Sequence, residues 1–463
     1  MKSNQFHLLN LFRKKSASSI STSKGTLNRC LTAFDLTLLG IGAIIGAGVF
    51  VLTGIAAATK AGPAVCISYI IAGLASMFAA LAYSELATSI GGSGSAYNYS
   101  YVAFGELIAW IIGWDLLLEY TLSVSTVAIG WSGYVNDALL ALHVHLPEKL
   151  LKNPFEGGII NLPAFSIIFF LALLLGIGVK ESSRFNAVIV LIKLVTIAIF
   201  IAVAVNHVDV RNWATFFPFG WSGIMQGAAL VFFAYIGFDA LSTAAEETLN
   251  PQRNLPIGII TSVAICSTIY IIVSLLLTGI VPYTTLNVKS PVADALMNIG
   301  YPVASGVVAA GAIAGLTTVM LVMYYGLTRI CLAISEDGLL PMFFASVNPK
   351  TRTPIKIIVF SGIIIATIAG LTPISSAASL VNIGTLAAFT LVCAGVIVLR
   401  YRQPEIPRPF KLPWNPLIPS LGIFFCVYLM IDLSLITWIR FVVWMMIGFV
   451  IYFFYSRKHS KLS

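Results

Sequence analysis

Apolar residues run through this chain in long blocks. Twelve of them are long enough to cross a bilayer as helices: 34–58, 63–87, 105–135, 162–179, 185–205, 223–245, 256–281, 303–334, 355–371, 377–399, 417–435 and 438–455. The polar stretches between them are too short to make a second domain. The pattern therefore predicts an all-α integral membrane protein with 12 transmembrane helices in one polytopic unit.

Two of the blocks are interrupted. Residues 40–50 read GIGAIIGAGVF, with four glycines, Gly40, Gly42, Gly46 and Gly48, in the middle of the first span. Glycine weakens a helix and leaves its backbone bare. Lipid offers that backbone no partners, so unwinding at Gly46-Ala47-Gly48 requires a cavity, a partner helix or a polar ligand. Close packing through the Gly42/Gly46 pair is the alternative reading. The sixth span repeats the theme, where Gly237 and Asp239 break an aromatic run and Ser242 and Thr243 follow. An odd number of spans per repeat inverts the second copy, and paired broken helices in inverted repeats point to a midplane binding site. That pairing favours binding over packing at the first break.

Composition agrees with the pattern: 58% of residues are hydrophobic and 10% charged. Soluble domains carry about 25% charged residues. The net charge of +9 is a topology signal rather than a sign of nucleic acid. Basic residues crowd the N-terminal tail (Lys2, Arg13, Lys14, Lys15, Lys24, Arg29), the C-terminal tail and the loops after even-numbered spans. Those loops hold Lys180 and Arg184, Arg253, Lys350, Arg352 and Lys356, and Arg400, Arg402, Arg408 and Lys411. Both termini are accordingly expected in the cytoplasm. No cleaved signal peptide is expected at the polar, basic N-terminus. The six cysteines include no CxxC pair, so free thiols are expected, without disulfide or zinc.

Within the spans a few polar residues stand out. Asp115 and Glu119 lie one turn apart on the third span, and intramembrane carboxylates mark ion or substrate routes unless they sit at an aqueous end. Lys193 lies eight positions into the fifth span, about 12 Å from its start at 1.5 Å per residue. Unless it snorkels, an ammonium at that depth requires a carbonyl cage, a carboxylate or release of its proton. The stretch 91–101, GGSGSAYNYSY, reads either as a flexible turn or as a loop that closes over a cytoplasmic vestibule. All five histidines fall outside the spans, which speaks against a membrane-embedded histidine hydrolase or zinc protease. No ring of charges or filter-like loop suggests a channel.

GIGAIIGAGVF (40–50), GGSGSAYNYSYVAFGE (91–106), FFAYIGFDALSTAAEETLNPQRNLP (232–256) and ISEDGLLP (334–341) resemble the amino acid–polyamine–organocation superfamily of permeases. The closer resemblance is to bacterial relatives of the cationic amino acid transporters, and it covers all the spans. It implies the leucine-transporter fold, a 5+5 inverted repeat at 34–206 and 223–400, with two further helices at 416–455. Cytoplasmic tails would be 1–33 and 456–463. It also implies an α-amino acid at the two breaks. The substrate carboxylate would sit on amides near Gly46, Ala47 and Gly48, and its ammonium on carbonyls around Ile44, Phe233, Ala234 and Ile236. Phe233 is similar to an aromatic that closes over the substrate, and Met323 to a residue of the side-chain pocket. Relatives often carry Ser or Thr where this chain has Ala47.

Lys193 is similar to a lysine that stands in for a structural sodium ion, bridging helices one, five and eight. Glu119 is similar to an acidic position that takes part in proton linkage. The implied function is proton-coupled import of small neutral (alanine-like) or cationic amino acids by alternating access. The bacterial plasma membrane is the implied place, with no cofactor beyond the proton, no metal, no enzymatic activity and no nucleic-acid partner. An exchanger, or a non-transporting sensor with the same pocket, remains open.

Overall fold

The computed structural model describes residues 13–15, 31–92, 94–177, 183–349, 351 and 353–461. Cys30 and the basic residues Lys2, Lys24, Arg29, Lys180, Lys350 and Arg352 lie outside them, as do the side chains of Arg184, Glu246 and Glu247. The described elements are helical, with one isolated backbone bridge between Leu31 and Thr248. Among the described residues, eight helices are long and apolar enough to cross a membrane, and four shorter apolar helices accompany them: Ala33–Ile44, Leu162–Ile177, Ile355–Leu371 and Leu417–Ile431.

In chain order the α-helices that frame the molecule are α1 (Ala33–Ile44), α2 (Val65–Ser89), α3 (Ser95–Ala103), α4 (Glu106–Ala141), α5 (Leu162–Ile177), α6 (Ser183–Ala204) and α7 (Gly220–Val231). There follow α8 (Pro251–Ile280), α9 (Pro291–Asn298), α10 (Pro302–Glu336), α11 (Ile355–Leu371), α12 (Ile374–Arg402), α13 (Leu417–Ile431) and α14 (Leu435–Ile451). Thr32 caps α1 in a reciprocal box, its amide donating to the Asp35 carboxylate while Asp35 N donates to its hydroxyl. The first apolar block is not one helix. α1 stops at Ile44, and a separate helical stretch resumes at Gly48, wide-turned over Gly48–Leu52 and Ala57–Ala61. The sixth block divides likewise, into α7, a tight turn at Phe232–Tyr235, and the slender helix Phe238–Glu247. Gly237 between them has φ 122°, a conformation that side-chain-bearing residues rarely adopt.

α10 packs along α4 and α6, α8 along α1 and α2, and α12 along α4, α2 and α13. The two broken stretches lie among these helices, surrounded on every side. One corrected expectation concerns 91–101. Most of it is the ordered helix α3, which packs on α4 and on the Phe238–Glu247 helix, with Ser95 Oγ 2.9 Å from Ser242 Oγ. Tyr97, Tyr99 and Tyr101 are all buried there, so their large side chains make α3 a packed element rather than a turn.

Polar anchors tie one face of the bundle together. Buried Glu85 accepts from Arg400 Nε at 2.8 Å and from Leu412 N at 2.8 Å, with Arg408 Nε 3.6 Å away. Glu106 accepts from Tyr101 and Tyr452, and Ser460 also donates to it. Asp337 accepts from Lys15 Nζ and from the Tyr97 hydroxyl, each at 2.6 Å, and its carbonyl from Lys461 N at 3.1 Å. The described ends of the chain therefore meet on the same face. Cys66, Cys266, Cys331, Cys393 and Cys426 are free thiols.

Candidate functional site

The two breaks touch. A Cβ built on Gly48 would stand 2.3 Å from Ala234 Cα, and one on Gly237 would stand 2.9 Å from the Ala43 carbonyl oxygen and 3.0 Å from Met323 Cε. Glycine at both positions is what lets the two backbones cross this closely. Around the crossing, tyrosine hydroxyls reach backbone carbonyls of the two breaks and of the stretch that resumes at Gly48. The Tyr270 hydroxyl lies 3.0 Å from Ile44 O and 2.9 Å from Ala234 O, spanning the two breaks. Tyr69 Oη donates to Gly48 O at 3.1 Å, and Tyr134 Oη to Phe50 O at 2.7 Å. Asn382 Nδ2 reaches Ala229 O and Leu230 O at the end of α7. A buried carbonyl left unpaired would cost about 1–3 kcal/mol, and Gly48 O takes the Thr53 hydroxyl at 3.1 Å as well.

A narrow cavity sits at the crossing, lined by Ala43, Ile44, Gly46, Ala47, Gly48, Ser123, Val127, Phe233, Ile236, Val319 and Met323. Seven of the residues singled out from sequence are in that wall: Ile44, Gly46, Ala47, Gly48, Phe233, Ile236 and Met323. Ala234 is not. It supports the crossing from behind, with its carbonyl on Tyr270. The expectation that the Ile44 and Ala234 carbonyls are left free therefore needs correction, although a carbonyl oxygen keeps a second lone pair for another donor. At the other end of the crossing, the first amides of the stretch that resumes at Gly48 have no intrahelical acceptor.

Ala43, Ser123, Val127 and Val319 were missed from sequence. Their signal was present as helical spacing, since Ser123 and Val127 follow Glu119 at four and eight positions, and Val319 precedes Met323 by four.

Lys193 is fully buried beside the first break rather than in the cavity wall. Its ammonium donates to Gly42 O at 2.7 Å and to Ile45 O at 3.2 Å, the carbonyls where α1 comes undone. Its methylenes lie along α10, where a Cβ built on Gly315 would come within 2.9 Å of Lys193 Cε. The side chain thus joins α6, α1 and α10, and it does not snorkel. Glu119 and Asp115 are likewise buried, each with one carboxylate oxygen lacking a hydrogen-bond partner among the described residues. Next to Glu119, Tyr120 Oη donates to Asp239 Oδ2 at 3.0 Å, and Gly237 N donates to Asp239 Oδ1 at 3.2 Å. On α4, Glu119 thus lies one turn and Asp115 two turns from Ser123 in the cavity wall, and Tyr120, next to Glu119 in the chain, reaches the second break at Asp239.

A bundle of membrane-crossing helices around a cavity between two broken ones has the architecture of a solute carrier. The chain belongs to the amino acid permease family, whose model matches residues 31–455. It is 49% identical to the methylthioribose transporter of Bacillus subtilis over 98% of this chain and 99% of that protein. It is 50% identical to the branched-chain amino acid permease of the same organism, again over 98% and 99%. A vacuolar cationic amino acid transporter of Arabidopsis thaliana is 31% identical over 98% of this chain and 96% of that protein. The chain is thus a multi-pass membrane transporter and not an enzyme.

Proposed function

We propose that this chain is a proton-coupled importer of neutral aliphatic amino acids, working by alternating access in a bacterial plasma membrane. The observation that carries this reading is the apolar cavity at the crossing of the two broken helices, with backbone polar groups at its ends and no charged side chain in its wall. Amides at Gly46–Gly48 take the α-carboxylate at the positive end of the resumed helix. Carbonyls of the two breaks, around Ile44, Phe233, Ala234 and Ile236, take the ammonium. The head group is then read by backbone, and the side chain by Val127, Val319 and Met323. Phe233 closes the cavity from the outer side.

The arrangement fits a 5+5 inverted repeat of the leucine-transporter type, in which the four shorter apolar helices complete twelve spans. The first repeat is 34–206, the second 223–400, and the last two helices lie within 416–455. The meeting of the chain ends at Glu106 and Asp337 supports placing both termini on the cytoplasmic side, where basic residues gather. Lys193 and Glu119 serve the proton, Lys193 by holding or releasing the carbonyls of the first break.

The relative named for methylthioribose raises a sugar thioether as a rival substrate. Each ribose hydroxyl taken out of water requires a partner, and this wall supplies one side-chain hydroxyl, Ser123. Branched aliphatic side chains match it better, as the name of the other Bacillus relative would suggest. Cationic side chains lack a carboxylate in the wall.

The test is uptake of labelled amino acids into proteoliposomes, with and without an inward proton gradient, plus competition by methyl esters and by methylthioribose. Valine, leucine and isoleucine are expected to accumulate only with the gradient. Their methyl esters are expected to compete at least tenfold more weakly, the equivalent of about 1.4 kcal/mol. Equal competition by an ester would remove the backbone carboxylate site. Binding without accumulation would turn the chain into a sensor, and stronger competition by methylthioribose would replace the amino acid as substrate.

A further inference from the structure

Serines in α4 normally satisfy themselves. Ser125 Oγ donates to Thr121 O at 2.9 Å and to Ile365 O at 3.1 Å, and Ser132 Oγ donates to Ile129 O at 2.7 Å. Ser123 is 2% exposed, yet its hydroxyl has no hydrogen-bond partner among the described residues. A buried hydroxyl without a partner is uncommon and calls for a physical account. Thr126 has an orphan hydroxyl too, but it is not part of the cavity wall. Ser123 is, and it is the only residue of that wall with a polar side chain.

Its position in the wall decides what it can meet. On α4 it lies one turn from Val127, and Gly130 beyond that backs onto Ala47, with a built Cβ 3.4 Å from Ala47 Cβ. The far end of this face is therefore beside the head-group amides. Ser123 lies a turn further from them than Val127, toward Glu119 and Tyr120, which in the proposed mode of binding is the side of the substrate's side chain. Val127, Val319 and Met323 surround that side chain with carbon and sulfur, and Ser123 adds one hydroxyl able both to donate and to accept.

We infer that Ser123 is a specificity-determining residue whose hydroxyl pairs with a hydroxyl on the β-carbon of the substrate, so that the carrier takes threonine alongside valine. The two side chains have nearly the same shape, and only threonine brings the oxygen that Ser123 is free to meet. The inference deepens the proposed amino acid site and rests on it. An all-apolar wall would strip water from the threonine hydroxyl and return nothing, whereas this wall returns a hydrogen bond and satisfies Ser123 at the same time.

The experiment measures inhibition of labelled leucine uptake by unlabelled threonine, allo-threonine and valine, in the parent and in Ser123→Ala. The parent is expected to hold threonine within a few-fold of valine. In Ser123→Ala the threonine-to-valine ratio of inhibition constants is expected to rise about tenfold, the worth of one hydrogen bond. An unchanged ratio would overturn the inference while leaving the amino acid site standing. Should the variant fail to fold, the parent alone decides through allo-threonine, whose hydroxyl points elsewhere from the same β-carbon. Several-fold weaker inhibition by allo-threonine is expected, and equal inhibition by the two isomers would overturn the inference. Failure of every amino acid to bind the parent would instead sink the proposed substrate class, and this inference with it.

Discussion

Accumulation driven by a proton gradient is expected to vanish in Lys193→Ala, falling to the level of protein-free liposomes, while amino acid binding persists within about tenfold of the parent. The reason lies in what Lys193 touches. Its ammonium donates to the Gly42 and Ile45 carbonyls, beside the head-group site but outside the cavity wall. A charged ammonium makes stronger hydrogen bonds to carbonyls than a neutral amine does. Loss of the proton would therefore loosen α1 from α6 and α10, and such a release is what opening toward one side requires. Binding survives because the head group is read by backbone at Gly46–Gly48 and not by Lys193. Alanine leaves two buried carbonyls short of a donor, at about 1–3 kcal/mol each, so a lower melting temperature is expected as well.

Lys193→Arg separates a fixed charge from a moving one. Arginine keeps its proton across the working pH range and can reach the same carbonyls. If proton release is the step, Lys193→Arg binds substrate but accumulates none, and its binding is insensitive to pH where that of the parent is not. Uptake into proteoliposomes alongside binding measured across pH tests both variants. Parent-like accumulation by Lys193→Arg would reduce Lys193 to a fixed strut. The carrier would then be sought at Glu119, which has one carboxylate oxygen unpartnered and Asp239 linked through Tyr120 nearby.

The broken helices were legible in sequence because lipid leaves a backbone no choice. Glycines at Gly46, Gly48 and Gly237 within apolar blocks announce where it comes undone. Lys193 was legible for the same reason, since a lysine deep in an apolar helix must have a partner. The identity of that partner was not legible. It is a pair of carbonyls made available by a break in another helix, and no local pattern encodes that crossing. The tyrosines were missed on the same ground. Tyr69, Tyr134 and Tyr270 each sit in an ordinary apolar helix, and only the packing brings their hydroxyls to Gly48, Phe50, Ile44 and Ala234. Glycine and serine density in 91–101 suggested a turn, and tertiary burial of three tyrosines overrode it in favour of α3. Ser123 was not singled out from sequence, because only the packing of other helices against α4 makes its hydroxyl face a cavity.

Gly48→Ala is expected to abolish substrate binding, with a loss of at least about a hundredfold, the scale of a one-ångström misplacement. The added methyl would stand 2.3 Å from both Cα and Cβ of Ala234 and 3.0 Å from its nitrogen. Two of those atoms are backbone, so no rotamer change relieves the contact. The helices must move apart at the crossing. That movement pulls Gly48 O from Tyr69 and strains the Tyr270 bridge between Ile44 O and Ala234 O, so carboxylate amides and ammonium carbonyls lose their spacing together. Overpacking of this kind also costs about 1–3 kcal/mol of stability. Gly46→Ala provides the contrast, since its methyl would meet only the Val319 side chain, nearest at Cγ2 at 3.4 Å, and should do no more than crowd the cavity. Gly176→Ala on α5 has nothing within 4 Å and should be neutral. Trimming Ala234→Gly in the Gly48→Ala background is expected not to restore binding, because the Ala234 Cα and nitrogen remain in the way. Equilibrium binding of labelled valine to purified protein, with melting temperatures for each variant, checks the series. Parent-like affinity in Gly48→Ala would mean that the close crossing of the two breaks does not shape the site.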